Sequence, residues 1–277
     1  MKTGPRTWVL ITSDAGRGAC RIRPLCTVTD VEVLVVAAVA ILIGSTLQRL
    51  CGTGVGLVVS PVLAVLLGPA AGVFVTNATT IVSGLMIMIA VRRDIDWRKF
   101  ALIGPAAILG SLPAAFLVRE LPAAWLQVVV GGVVLVALAT TFGLPRLPVL
   151  SHLGVAVAAG AVGGFFNTTA GVAAPVMVVY SRLSRWEQRP FAATLQPTFM
   201  LMGIVSVATK LAVGATTAAL LPPWWTFGGI IILVLAGIGA GGLLARQVPS
   251  HRARVLAITL AGLGGVVAVV RGVLALG

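Results

Sequence analysis

Two short clusters place small polar side chains beside helix breakers, each within a long apolar stretch. The first is Gly52-Thr53-Gly54-Val55-Gly56, followed by Pro61; the second is Asn167-Thr168-Thr169-Ala170-Gly171, followed by Pro175. Backbone freed inside lipid must be buried in protein or line a cavity. The N–H groups that open a helix carry partial positive charge, so a helix that restarts inside a membrane favours an anion. Gly54, Gly56 and Gly171 admit close approach of a ligand to backbone. Thr53, Asn167, Thr168 and Thr169 add side-chain donors. Gly52, Pro61 and Pro175 read as the breaks themselves. The chemistry this suits is the binding of a small anion in place of its water shell.

The same residue types also suit helix packing, since Gly52 with Gly56 and Gly160 with Gly164 form small-xxx-small pairs. What favours a site is the repetition. Interrupted apolar segments at matching places in two halves point to a transporter binding site. A second polar set follows each cluster: Asn77, Thr79 and Thr80 in one apolar stretch, Thr194 and Gln196 in the other, the latter beside Pro197. Buried amides need partners, either neighbouring helices or a ligand. Pro197 is expected to kink its helix and free carbonyls. Arg49 precedes the first break and offers either a planar donor fork to an anion or a snorkelling side chain. Lys210 and Arg271 lie near segment ends and are expected to snorkel.

Absences narrow the chemistry. The acidic residues are Asp14, Asp30, Glu32, Asp94, Asp96, Glu120 and Glu187, and none is centred in an apolar segment. A carboxylate proton relay is therefore not expected. No zinc-binding His-Glu motif, nucleophile elbow or phosphate loop appears. Cys20, Cys26 and Cys51 lack metal spacing, although the first two could pair outside the cell. An enzyme, a metal and a cofactor are all unexpected.

The elements that must position these residues are membrane helices. The chain of 277 residues is 58% hydrophobic and only 10% charged, far below the roughly 25% charge of a soluble domain. Apolar segments fall at 31–50, 56–68, 70–91, 100–118, 125–142, 152–166, 171–181, 190–212, 225–244 and 255–276. Crossing the hydrocarbon core takes about 20 residues. Segments 56–68 and 171–181 are too short, and read as second arms of re-entrant pairs. Residues 1–30 read as a disordered basic tail without an apolar run of signal-peptide length.

The net charge of +13 is concentrated in loops, which is the positive-inside pattern rather than a nucleic-acid footprint. Loops 92–99, 182–189 and 246–254 are expected in the cytoplasm, 119–125 and 213–223 outside. The chain also matches itself. At an offset of 114, Pro61 falls on Pro175, Ala78 on Ala192 and Thr80 on Thr194. At 127, Trp97 falls on Trp224, Gly110 on Gly237, Arg119 on Arg246 and Pro122 on Pro249. With the loop charges, this makes the halves inverted, residues 31–142 forming one repeat and 151–276 the other.

The glycine cluster followed by proline, the Ala78-Thr79-Thr80 step, the Asp96-Trp97-Arg98 loop and the glycine-rich helix beyond it resemble the TauE/SafE family. These are the sulfite-exporter-like permeases, also called TSUP. The resemblance runs over 31–276 and includes Gly237, Gly241, Arg246 and Arg271. It implies an inner-membrane carrier of small sulfur-containing anions such as sulfite, sulfoacetate or related sulfonates. The second cluster departs from the pattern, reading Asn-Thr-Thr-Ala-Gly where the family has a richer glycine run.

The resulting expectation is an all-α polytopic membrane protein of two inverted repeats, each beginning with a broken, re-entrant helix pair. It is multi-pass in the cytoplasmic membrane and moves a small anion by alternating access. The expected partners are that anionic solute and the bilayer, with homo-oligomerisation left open and nucleic acid excluded. A passive anion channel and a membrane scaffold are the competing functions. With no central carboxylate, a co-transported proton is expected to ride on the substrate, as bisulfite carries one.

Overall fold

The computed structural model describes residues 30–52, 55–143, 149–150, 152–216, 223, 225–245 and 247–277. Thr53, Gly54, Trp224, Arg246 and the 1–29 part of the tail lie outside these. Among the described residues there are ten α-helices, one 3-10 turn and no strand. They are α1 (Asp30–Cys51), α2 (Val55–Leu67), α3 (Pro69–Val91), α4 (Trp97–Glu120), α5 (Ala123–Gly143), α6 (Leu153–Ala170), α7 (Ala174–Leu183), α8 (Gln188–Ala212), α9 (Trp225–Leu244) and α10 (Ser250–Leu274). Seven of these helices are long and apolar enough to cross a membrane.

Local chemistry explains the boundaries. Gly52 and Gly171 end α1 and α6 in the left-handed region, at φ 78° and 71°, where a residue with a Cβ is strained. Their N–H groups donate to the carbonyls of Gln48 and Asn167, both at 2.8 Å. Pro175 sits in the first turn of α7, where its missing N–H is no loss. Asp96 caps α4 by accepting from the Lys99 N–H at 3.1 Å. At helix C-termini, Arg271 donates to the Val65 carbonyl at 2.8 Å and Arg119 to the Val213 carbonyl at 3.2 Å, satisfying carbonyls that lack intrahelical donors.

Two expectations are corrected here. Pro61 does not break the chain: it lies inside α2, and α2 continues past it. The spacing that aligns the helices is also not 114. Cys51 and Ala170, Val55 and Ala174, and Pro69 and Gln188 are each 119 residues apart. Pro61 and Pro175 therefore occupy different places in their helices. The later offset holds where it can be read, since Pro122 immediately precedes α5 and Pro249 immediately precedes α10.

Contacts fix how the pieces run. The Leu150 N–H donates to the Leu183 carbonyl at 2.9 Å, so α7 returns to the level at which α6 began. α4 and α6 lie side by side in the same direction, because Gly160 rests on Ile103 and Gly164 on Ala107. α1 and α9 do likewise, Gly237 resting on Leu42 and Ser45, Gly241 on Thr46 and Arg49. α3 and α8 run oppositely: Asn77 meets Gly203, and Gly84 meets Gln196 and Met200. Large apolar side chains such as Leu109, Ile232, Leu243 and Leu263 stay exposed on the outer faces, as lipid contact requires.

Candidate functional site

The first turns of two helices line one cavity. Val55, Gly56 and Leu57 open α2; Val172, Ala173 and Ala174 lead into α7; Gln48, Thr80, Asn167, Gly171 and Phe199 complete the wall. A Cβ on Gly56 would collide with the Gly171 carbonyl, so the breaks touch backbone to backbone. The Ser60 hydroxyl donates to the Ala170 carbonyl, tying α2 to the end of α6. Both helix N-termini carry partial positive charge, and among the described residues nothing acidic lines the space. The cavity measures about 20 Å³, room for about one water molecule and too little for a multi-atom anion.

Two carboxamide pairs brace the cavity. The Gln48 Nε2 donates to Gln196 Oε1 at 2.9 Å, and Gln48 Oε1 accepts from Ser83 at 2.9 Å. The Asn167 Nδ2 donates to Asn77 Oδ1 at 2.7 Å, and Asn77 Nδ2 donates to Ser206 at 2.9 Å. The span amide answers the break in each case. Asn77 reaches the Asn167 carbonyl at 3.3 Å, and Gln196 reaches the Gly52 carbonyl at 3.5 Å. All four amides are buried, and buried amides without partners would be costly.

The clusters touch but do not stand at one depth. Gly52 sits beside Ala192 and Gln196, whereas Asn167 connects through Asn77 to Ser206. Gln196 and Ser206 are ten residues apart on α8, roughly 15 Å of helix. The arms pass one another, and they touch at Gly56 and Gly171.

The other predicted residues divide. Thr53 and Gly54 lie outside the described residues. The Thr168 hydroxyl is buried and has no hydrogen-bond partner. Thr169 is not brought to the cavity: its hydroxyl bonds back to the Phe165 carbonyl at 2.9 Å. Nor is Thr194, which donates to the Pro190 carbonyl at 2.7 Å and accepts from the Asp96 N–H at 2.9 Å. Thr80 lines the cavity, but its hydroxyl donates to the Thr76 carbonyl at 2.8 Å. Pro197 lies inside α8. Arg49 is half-buried in the last turn of α1, its stem against Gly241. Lys210 corrects the snorkelling expectation outright, being 0% exposed.

A family model described as sulfite exporter TauE/SafE matches residues 36–268. The chain belongs to this family. Comparison with curated proteins and with solved structures finds no match. Family membership and the seven apolar helices make this TauE/SafE chain a multi-pass membrane transporter.

Sequence reasoning missed Gln48, Ser60, Ser83, Phe199 and Ser206 in this TauE/SafE chain. A signal for Gln48 was present. It lies four residues before Gly52, as Asn167 lies four before Gly171. On one face of the molecule, loops 92–99 and 182–189 come together through Arg189 and Asp94 at 3.1 Å and Lys99 over the Trp186 ring at 4.0 Å.

Proposed function

We propose that this chain carries a small sulfur-containing oxyanion, such as sulfite or an organosulfonate, across the cytoplasmic membrane by alternating access. The observation that carries this reading is that the first turns of α2 and α7 line the same cavity. Two converging helix N-termini supply partial positive charge without a counter-ion of their own. Gln48 and Asn167 line that cavity, and their carboxamides would exchange their present partners for an oxyanion.

In this reading the halves are inverted repeats. Support comes from the common spacing of 119 residues at three helix boundaries and from the parallel pairing of α1 with α9 and of α6 with α4. The basic loops 92–99 and 182–189 share a face, which we assign to the cytoplasm by the excess of arginine there. The test is counterflow of radiolabelled sulfite into proteoliposomes holding the full chain. Saturable exchange that competes with sulfonates supports the reading. Ohmic single-channel conductance, or no flux from folded protein, overturns it.

A further inference from the structure

We propose that Lys210 supplies a positive charge that the transported anion neutralises, and that this restricts the substrate to singly charged oxyanions. The inference rests on the transport reading above and adds to it a residue and a charge class.

Lys210 is the one charged side chain among the buried described residues. Its Nζ has no hydrogen-bond partner there. Asp94 is joined to Arg189, Asp96 to Lys99 and Glu120 to Arg119. Glu32 and Glu187 are exposed. An isolated ammonium in a low-dielectric interior costs several kcal/mol unless an anion is brought to it or the amine sheds its proton. Among the described residues no carboxylate does so.

Position links Lys210 to the cavity. Phe199 lines the cavity, and Gly203, Ser206 and Lys210 follow it at helical spacings of four, three and four along α8, so all lie on one face. Ser206 accepts from Asn77, which pairs with Asn167 at the break. Lys210 thus continues the cavity's face about 16 Å along the axis. The turn after α8 caps its backbone: the Ala215 N–H donates to the Lys210 carbonyl at 2.9 Å, with Gly214 left-handed at φ 71°.

A second group at that end also lacks a partner. The Thr216 hydroxyl is buried and unpaired. An ammonium and a hydroxyl, both able to donate, sit at one helix end without an acceptor. An oxyanion offers acceptors only. At Lys210, about 16 Å along α8 from the cavity and beyond the first-turn reach of the helix N-termini, one ammonium charge balances one negative charge, and a dianion would retain an uncompensated one. Bisulfite and sulfonates qualify; sulfate does not.

The test compares wild type, Lys210→Met and Lys210→Arg as full chains in detergent. Thermal stability is measured against methanesulfonate and bisulfite, both singly charged, and sulfate. Wild type is expected to be stabilised by the first two and not by sulfate. Lys210→Met melts at or above wild type and loses affinity by about tenfold or more; Lys210→Arg keeps most of the shift. A folded Lys210→Met protein with the full shift overturns the proposal and leaves the transport reading standing. Equal stabilisation by sulfate overturns the charge restriction. A wild type stabilised by none of the three overturns both. Should Lys210→Met not fold, wild type is labelled with cyanate under exchange conditions. Methanesulfonate should slow carbamylation of Lys210 several-fold and leave Lys99 unchanged. Equal labelling, or a Lys210 that never reacts, overturns the proposal.

Discussion

Gln48 and Asn167 hold the same station in two stretches of chain with little sequence in common. Each lies four residues before a left-handed glycine, its carbonyl accepts that glycine's N–H, and its carboxamide donates to an amide on a long span. Their partners correspond too: Asn77 and Gln196 are 119 residues apart, as Gln48 and Asn167 are. Each break is thereby latched to the span across from it by one carboxamide pair.

The latches should be measurable as couplings. Gln48→Leu leaves the Gln196 carbonyl oxygen unsatisfied and is expected to destabilise the fold by about 1–2 kcal/mol. Gln48→Leu with Gln196→Leu should lose less than the sum of the single changes. Thermal unfolding of the four proteins in a double-mutant cycle gives the answer, and strict additivity would deny the pairing.

Thr168→Val separates stability from transport. The hydroxyl is buried without a partner, so an isosteric methyl should stabilise the protein by about 1 kcal/mol. If Thr168 meets the substrate, flux per folded molecule falls at the same time. Unchanged flux would remove it from the site.

Thr169→Val and Thr194→Val should behave differently. Both hydroxyls are bonded to their own helix backbone, so sulfite flux per folded molecule should stay within about twofold of wild type, a loss at the scale of weak local bonds. A tenfold loss at either position would mean that the site extends further than the cavity.

Gly164→Leu tests packing. The added side chain must enter the space held by Ala107 backbone, at a cost of about 1–3 kcal/mol or more. Folded yield by size-exclusion chromatography should drop sharply, while the molecules that fold retain their flux. Selective loss of flux in well-folded protein would assign that glycine a ligand role.

The proton prediction concerns the substrate. If bisulfite is the carried form, uptake at fixed total sulfite declines as pH rises and the dianion replaces the monoanion. Uptake of methanesulfonate, which stays singly charged, should be flat over the same range. Flux that tracks the dianion in proteoliposomes would exclude proton carriage by the substrate.

Much of the fold was legible because lipid enforces a simple rule: long apolar runs become helices. All ten apolar segments correspond to helices, and Gly52 and Gly171 end theirs as glycines do. The side-chain partners were less legible. Gln48 shares its spacing from a glycine with Asn167, but its partner lies 148 residues away, which no local pattern names. The offset of 114 came from matching prolines, which can serve in a first turn or inside a helix. The better register follows the turn geometry at Gly52 and Gly171. Lys210 looked like an interfacial lysine because position along a helix does not reveal which way the face points.

The glycine seams join α4 to α6 and α1 to α9, and each seam crosses from one half of the chain to the other. Severing the chain between α5 and α6 would therefore yield two pieces, neither holding a break together with the helix on which it is seated. The mechanical parts of this molecule are not its sequence halves. Each is a composite assembled from both.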